Sequence, residues 1–108
     1  MKILLDENID VRMKQLFPEV YEVYTVRDMR WNGVKNGKLI QLLAENNFDC
    51  WIVVDKNIPY QQNIKTISCT IIIMDVLKNT LNSLQMLVPS LLIVLAQPMN
   101  EKIIVIKE

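Results

Sequence analysis

Three times the chain runs a block of apolar residues straight into an aspartate: Ile3-Leu4-Leu5 into Asp6, Ile52-Val53-Val54 into Asp55, and Ile71-Ile72-Ile73-Met74 into Asp75. Unbroken, largely β-branched runs suit strands buried on both faces, as in a parallel sheet covered by helices. Between the runs the apolar period changes. Ile9, Met13, Leu16 and Phe17 fall on one helical face, Asn8 or Asp10 can cap that segment, and Pro18 stops it. A second strand is expected over 22–26, followed by a loop over 27–35. Leu39, Leu42 and Leu43 make the stripe of a helix over 37–46, with Asn36 as its cap.

The remaining elements follow the same alternation. Strands are expected over 2–6, 51–55, 69–75 and 102–106. A short helix or turn is expected over 59–64, with Asn57 as cap and Pro59 in the first turn, where proline is tolerated. Thr80 caps a last helix carrying Leu81, Leu84, Leu87, Val88, Leu91, Leu92 and Leu95. Pro89 removes a hydrogen bond inside it, which predicts a kink or break, and Pro98 closes it. The order β-α-β-α-β-α-β-α-β predicts one α/β domain over 1–108: a three-layer α/β/α fold around a mainly parallel sheet of about five strands.

Composition narrows the chemistry. The chain has no histidine, which excludes histidine-based nucleophile pairs, metal ligands and proton shuttles. Formal net charge is zero, so nucleic-acid binding must come from a local patch. Cys50 and Cys69 lack CxxC spacing and each opens an apolar run, as buried reduced thiols do. The greasiest stretch, 84–96, falls short of the roughly 20 apolar residues that span a bilayer. Strand-like sequence from Lys2 onward leaves no signal-peptide pattern. A cytoplasmic location without membrane contact is expected.

In open α/β sheets, ligand sites lie beyond the carboxyl ends of the strands. Three strand-end acids gathered there would repel one another unless a hard cation such as Mg²⁺ or Mn²⁺ intervened. Asp6, Asp55, Asp75 and Glu7 are therefore the candidate metal ligands. Polar side chains cluster beside them. Asn8 follows the first acid pair, while Lys56, Asn57, Gln61 and Gln62 follow Asp55. Arg30, Lys35 and Lys38 surround Trp31 in a segment that also holds Asn36 and the chain's only glycines, Gly33 and Gly37. Cations neutralise phosphates and an aromatic ring stacks on an unpaired base, so these residues are candidate contacts to RNA.

Lys2-Ile3-Leu4-Leu5-Asp6-Glu7-Asn8, Trp31-x-Gly33-x-Lys35-Asn36-Gly37-x-Leu39 and Asp55-Lys56-Asn57-x-Pro59-Tyr60-Gln61-Gln62-Asn63 resemble, in order and spacing, the signatures of a family of short bacterial PIN-like proteins. The resemblance covers roughly the first two thirds of the chain. It implies a three-layer α/β/α fold and a Mg²⁺- or Mn²⁺-dependent ribonuclease, the toxin of a toxin–antitoxin pair with a cognate antitoxin protein as partner. By the resemblance Asp6 matches the acid ending the first strand and Asp55 the acid ending the third, which makes these two the candidate catalytic residues. Where PIN nucleases carry an acid on an early helix, this chain has Asn36 and Lys38. Asn57 stands near where a further acid is common, and Arg30 stands where relatives often carry glycine. An incomplete acidic cluster supports an alternative, a PIN-like module that binds RNA or protein without cleaving. A minor alternative is a phosphoacceptor receiver-like domain, which Asp6-Glu7, Asp55 and Lys107 mimic. The apolar last helix either packs internally or forms a homodimer face.

Overall fold

A computed structural model describes residues 1–108, the Ile64 side chain excepted. Five strands, β1 (Lys2–Leu5), β2 (Glu22–Thr25), β3 (Cys50–Val53), β4 (Thr70–Asp75) and β5 (Ile103–Lys107), form one sheet in the order β2-β1-β3-β4-β5. Every pairing is parallel. The unbroken apolar runs occupy the centre. All four residues of β3 are buried, as are the first five of β4. The outer strands β2 and β5 keep exposed positions, because each has a neighbour on one side only.

Alternation along the strands divides the core into two layers. Ile3, Leu5, Ile52, Ile72 and Met74 pack on one face, against Met13 and the helix α4 (Leu81–Leu95). Leu4, Trp51, Val53, Ile71 and Ile73 pack on the other, against α2 (Asn36–Glu45) and the single turns α1 (Val26–Met29) and α3 (Ile58–Gln61). The architecture is thus a parallel sheet between two helical layers, as the alternation of periods predicts.

Several element boundaries differ from the sequence expectation. The segment carrying Ile9, Met13, Leu16 and Phe17 forms a 3₁₀ helix, Val11–Leu16, rather than an α-helix. Phe17 is extended at φ −90° and ψ 140°, as steric contact with the following proline requires, so the helix ends before it. β2 stops at Thr25 instead of residue 26, and the expected loop begins with α1. Thr25 Oγ1 accepts from the Asp28 N–H at 3.0 Å, while the Asp28 carboxylate accepts from the Thr25 N–H at 2.9 Å. This reciprocal capping box was legible as Thr-x-x-Asp. Lys35, not Asn36, holds the cap position of α2 and makes no side-chain cap bond. Asn57 precedes α3, likewise without a cap bond, and a 3₁₀ turn, Ile64–Thr66, follows.

α4 starts where expected, with Thr80 accepting from the Ser83 N–H at 3.2 Å. It runs unbroken through Pro89 and ends at Leu95, ahead of Pro98. Pro89 lies on the exposed side, where water can satisfy the carbonyl that a residue 89 N–H would have bonded. Leu84, Leu87, Leu91 and Leu95 hold the opposite side against the sheet. Among the described residues, no helix is long and apolar enough to cross a membrane.

Candidate functional site at the β1–β3 crevice

The chain leaves β1 toward β2 and then returns to the other side of β1 to form β3. Where strand order reverses in this way, the helices that follow the two strands lie on opposite faces, and a crevice opens at the strands' carboxyl ends. Asp6 stands one residue past β1, and Asp55 two residues past β3. Both line a pocket of about 80 Å³ at this crevice. Glu7, Asn8, Trp31 and Asn36 join them, and Val26, Leu39 and Ile58 supply apolar wall.

Asp6 is the buried member, 9% exposed. Its N–H extends the sheet ladder by donating to the Ile52 carbonyl at 2.9 Å, which fixes the backbone below the carboxylate. Burial raises the Asp6 carboxyl above its ordinary value. The Glu7 backbone N–H and the Trp51 indole N–H oppose that rise, whereas the negative charges of Glu7 and Asp55 add to it. Asp55 is half-buried, and its Oδ1 accepts from the Asn57 N–H at 2.8 Å. Glu7 Oε1 accepts from the Gly33 N–H at 3.0 Å, tying the loop that carries Trp31 to the end of β1. Gly33 has φ +78°, a conformation only glycine adopts freely. Trp31 packs edge-on against Phe48 with centroids 5.9 Å apart, which steadies the ring at the pocket wall.

Asp75 is placed differently. It ends β4, beyond the crevice, and its Oδ1 lies 2.9 Å from Lys56 Nζ. The three strand-end acids therefore do not share one environment: Asp6 and Asp55 line the pocket, and Asp75 is held by a cation. Among the described residues no group of three or more acids, cysteines or histidines is arranged to hold a metal ion. Lys107 stands in register with Asp75 on the edge strand.

Of the other expected contacts, Asn8, Trp31 and Asn36 reach the pocket, while Lys56 is engaged by Asp75. Arg30, Lys35 and Lys38 are exposed around the same loop and first turn without lining the pocket. Arg30 adopts the left-handed conformation at φ 60°, which accounts for glycine being suited to that position. Asn57 opens onto a separate groove beside Pro59, Tyr60 and Val105. Gln61 ends α3 and Gln62 follows it, both outside the pocket lining. The residue that sequence reasoning missed is Trp51. Its place in an apolar run hid it, although the alternation of β3 puts it on the same face as Leu4 and Asp6.

A larger hollow, about 540 Å³, lies at the opposite, amino edge of the strands beside Asp49, Cys69 and Lys102. Its one thiol, Cys69, is pushed up to about 11 by burial and is a poor nucleophile. The smaller pocket holds the buried acid and lies where doubly wound sheets bind ligands, so chemistry outweighs volume here. No protein-family model, no curated protein and no solved structure matches the chain.

Proposed function

We propose that the chain is a metal-dependent ribonuclease that cleaves phosphodiester bonds at the β1–β3 crevice. The observation that carries this reading is the convergence of Asp6 and Asp55 on one pocket beside Trp31 and Asn36. Two carboxylates offer hard oxygen donors, and burial, with a smaller addition from the charges of Glu7 and Asp55, raises the Asp6 carboxyl; a divalent cation would offset that cost of the charged form. Such a donor set fits Mg²⁺ or Mn²⁺ held by one or two carboxylates, with waters and a substrate phosphate completing the shell. Bound there, the cation would activate water and offset charge on the phosphoryl oxygens.

The chain's own residues divide the remaining work. Asp6 and Asp55 would hold the cation, with Glu7 beside them. The amides of Asn8 and Asn36 meet phosphate oxygens or base edges, and Trp31 offers a face to an unpaired base. Arg30, Lys35 and Lys38 draw the RNA backbone toward the pocket. The motif resemblance extends the reading to a cytoplasmic toxin whose partner is an antitoxin protein.

The test is cleavage of single-stranded and structured RNA with Mg²⁺ and with Mn²⁺, comparing the wild type with an Asp6→Asn/Asp55→Asn variant. Metal-dependent fragments from the wild type alone are expected. Intact RNA from both proteins across substrates overturns the reading. A second reading, a module that binds RNA without cleaving it, is favoured by the Lys56–Asp75 pair, which withdraws the third strand-end acid. Retention of RNA in the presence of a chelator, without fragments, selects it.

A further inference from the structure

Among the described residues, Trp51 Nε1 is the buried side-chain nitrogen that has no hydrogen-bond partner. Trp51 is fully buried in β3, the strand next to β1. An orphaned donor in a sheet core is costly and calls for a reason. The register supplies one. Leu4 pairs with Trp51. Side chains two residues apart share a sheet face, so Asp6 lies one pleat beyond Leu4 on the side that Trp51 occupies. Strand side chains lean along the strand, which brings the indole beneath the Asp6 carboxylate. The N–H is close enough to act on that carboxyl yet short of hydrogen-bond geometry.

We propose that Trp51 is a positioning residue for Asp6: its indole N–H takes one carboxylate oxygen from below and leaves the other facing Asp55 across the pocket. A small rotation of the carboxylate completes the bond. Groups that ligate cations are commonly oriented by such outer partners. A fully buried indole donates without accepting and reaches no solvent, so water does not compete for its N–H. The functional consequence rests on the crevice being the working site; the contact itself does not.

The chain contains two tryptophans, Trp31 and Trp51, so its indole N–H spectrum is simple. In the ¹⁵N-labelled full chain, Asp6→Asn and Asp6→Ala should move the Trp51 indole proton upfield, further for alanine, and further than either substitution moves Trp31. A Trp51 indole unmoved by both substitutions overturns the proposal and points to a buried water as the acceptor. The second measurement is Mn²⁺ affinity. Trp51→Phe, checked for folding by circular dichroism, should weaken binding by roughly 10- to 100-fold without abolishing it. Unchanged affinity in the folded variant overturns the positioning role. If the wild type itself fails to bind Mn²⁺, the metal-dependent reading falls, while the indole shift still decides whether Trp51 holds Asp6.

Discussion

The two halves of the sheet's carboxyl edge begin from the same local sequence and end in different chemistry. At β1 and β3, apolar runs deliver Asp6 and Asp55 into one pocket, with no cation paired to either among the ion pairs described. At β4, an equally apolar run delivers Asp75 to Lys56 at 2.9 Å. A strand-end aspartate is therefore not a site in itself. What distinguishes the halves is the reversal of strand order beside β1, which opens a crevice there, and the reach of one lysine at the end of β3.

The largest expected effect that separates the halves is on cleavage. Asp55→Asn should lose several kcal/mol of transition-state stabilisation, on the order of 100-fold or more in rate. Asp75→Asn should leave the rate nearly unchanged, and a comparable loss from both in a fragment-release assay would erase the difference between the two halves.

Stability comes next, and the sign for Asp6 is unusual. Its folded carboxyl is raised, chiefly by burial, so the charged form opposes folding. That penalty is present at neutral pH and fades as pH falls through the raised folded value toward the ordinary carboxylate range. Asp6→Asn should stabilise the fold by on the order of 1 kcal/mol at neutral pH, with the gap to wild type narrowing toward about pH 4. Thermal unfolding at both pH values measures it; a variant less stable at neutral pH contradicts the burial argument. Asp28 provides the contrast. The Lys14 ammonium at 2.8 Å and the Thr25 N–H hold its carboxyl below the usual range. Its contribution is complete above the unfolded carboxylate value and is lost as pH falls through the lowered folded value. Asp28→Ala should cost about 1 kcal/mol by removing half of the capping box.

Two smaller effects sharpen the picture. Arg30→Gly should gain roughly 1 kcal/mol by relieving a left-handed backbone, seen as a higher denaturant midpoint. Lys56→Met removes a partly exposed ion pair and should cost less than about 1 kcal/mol. A larger loss would make the Lys56–Asp75 pair a structural strut rather than a local neutralisation.

The sequence by itself determined the layers. Ile52-Val53 and Ile71-Ile72-Ile73 can be satisfied only with apolar neighbours on both faces, and the helical spacing of Leu39 and Leu43, or Leu84, Leu87 and Leu91, supplies the covers. It also marked Asp6 and Asp55, because polar residues at the ends of buried strands must surface at the sheet's rim. Local sterics that compete with periodicity were harder to read. Phe17 before Pro18 cut a helix short, and Pro89 was accommodated because its side of α4 meets water.

Only the tertiary structure decided which acids meet. The order β2-β1-β3-β4-β5 sets β1 against β3, and neither strand's sequence encodes its neighbour. The same pairing sets Trp51 opposite Leu4, one pleat from Asp6, a juxtaposition that depends on which strand lies beside β1. Burial and periodicity are properties of a segment and can be read along it. Pairing is a property of two segments, fixed by how the whole chain closes its core.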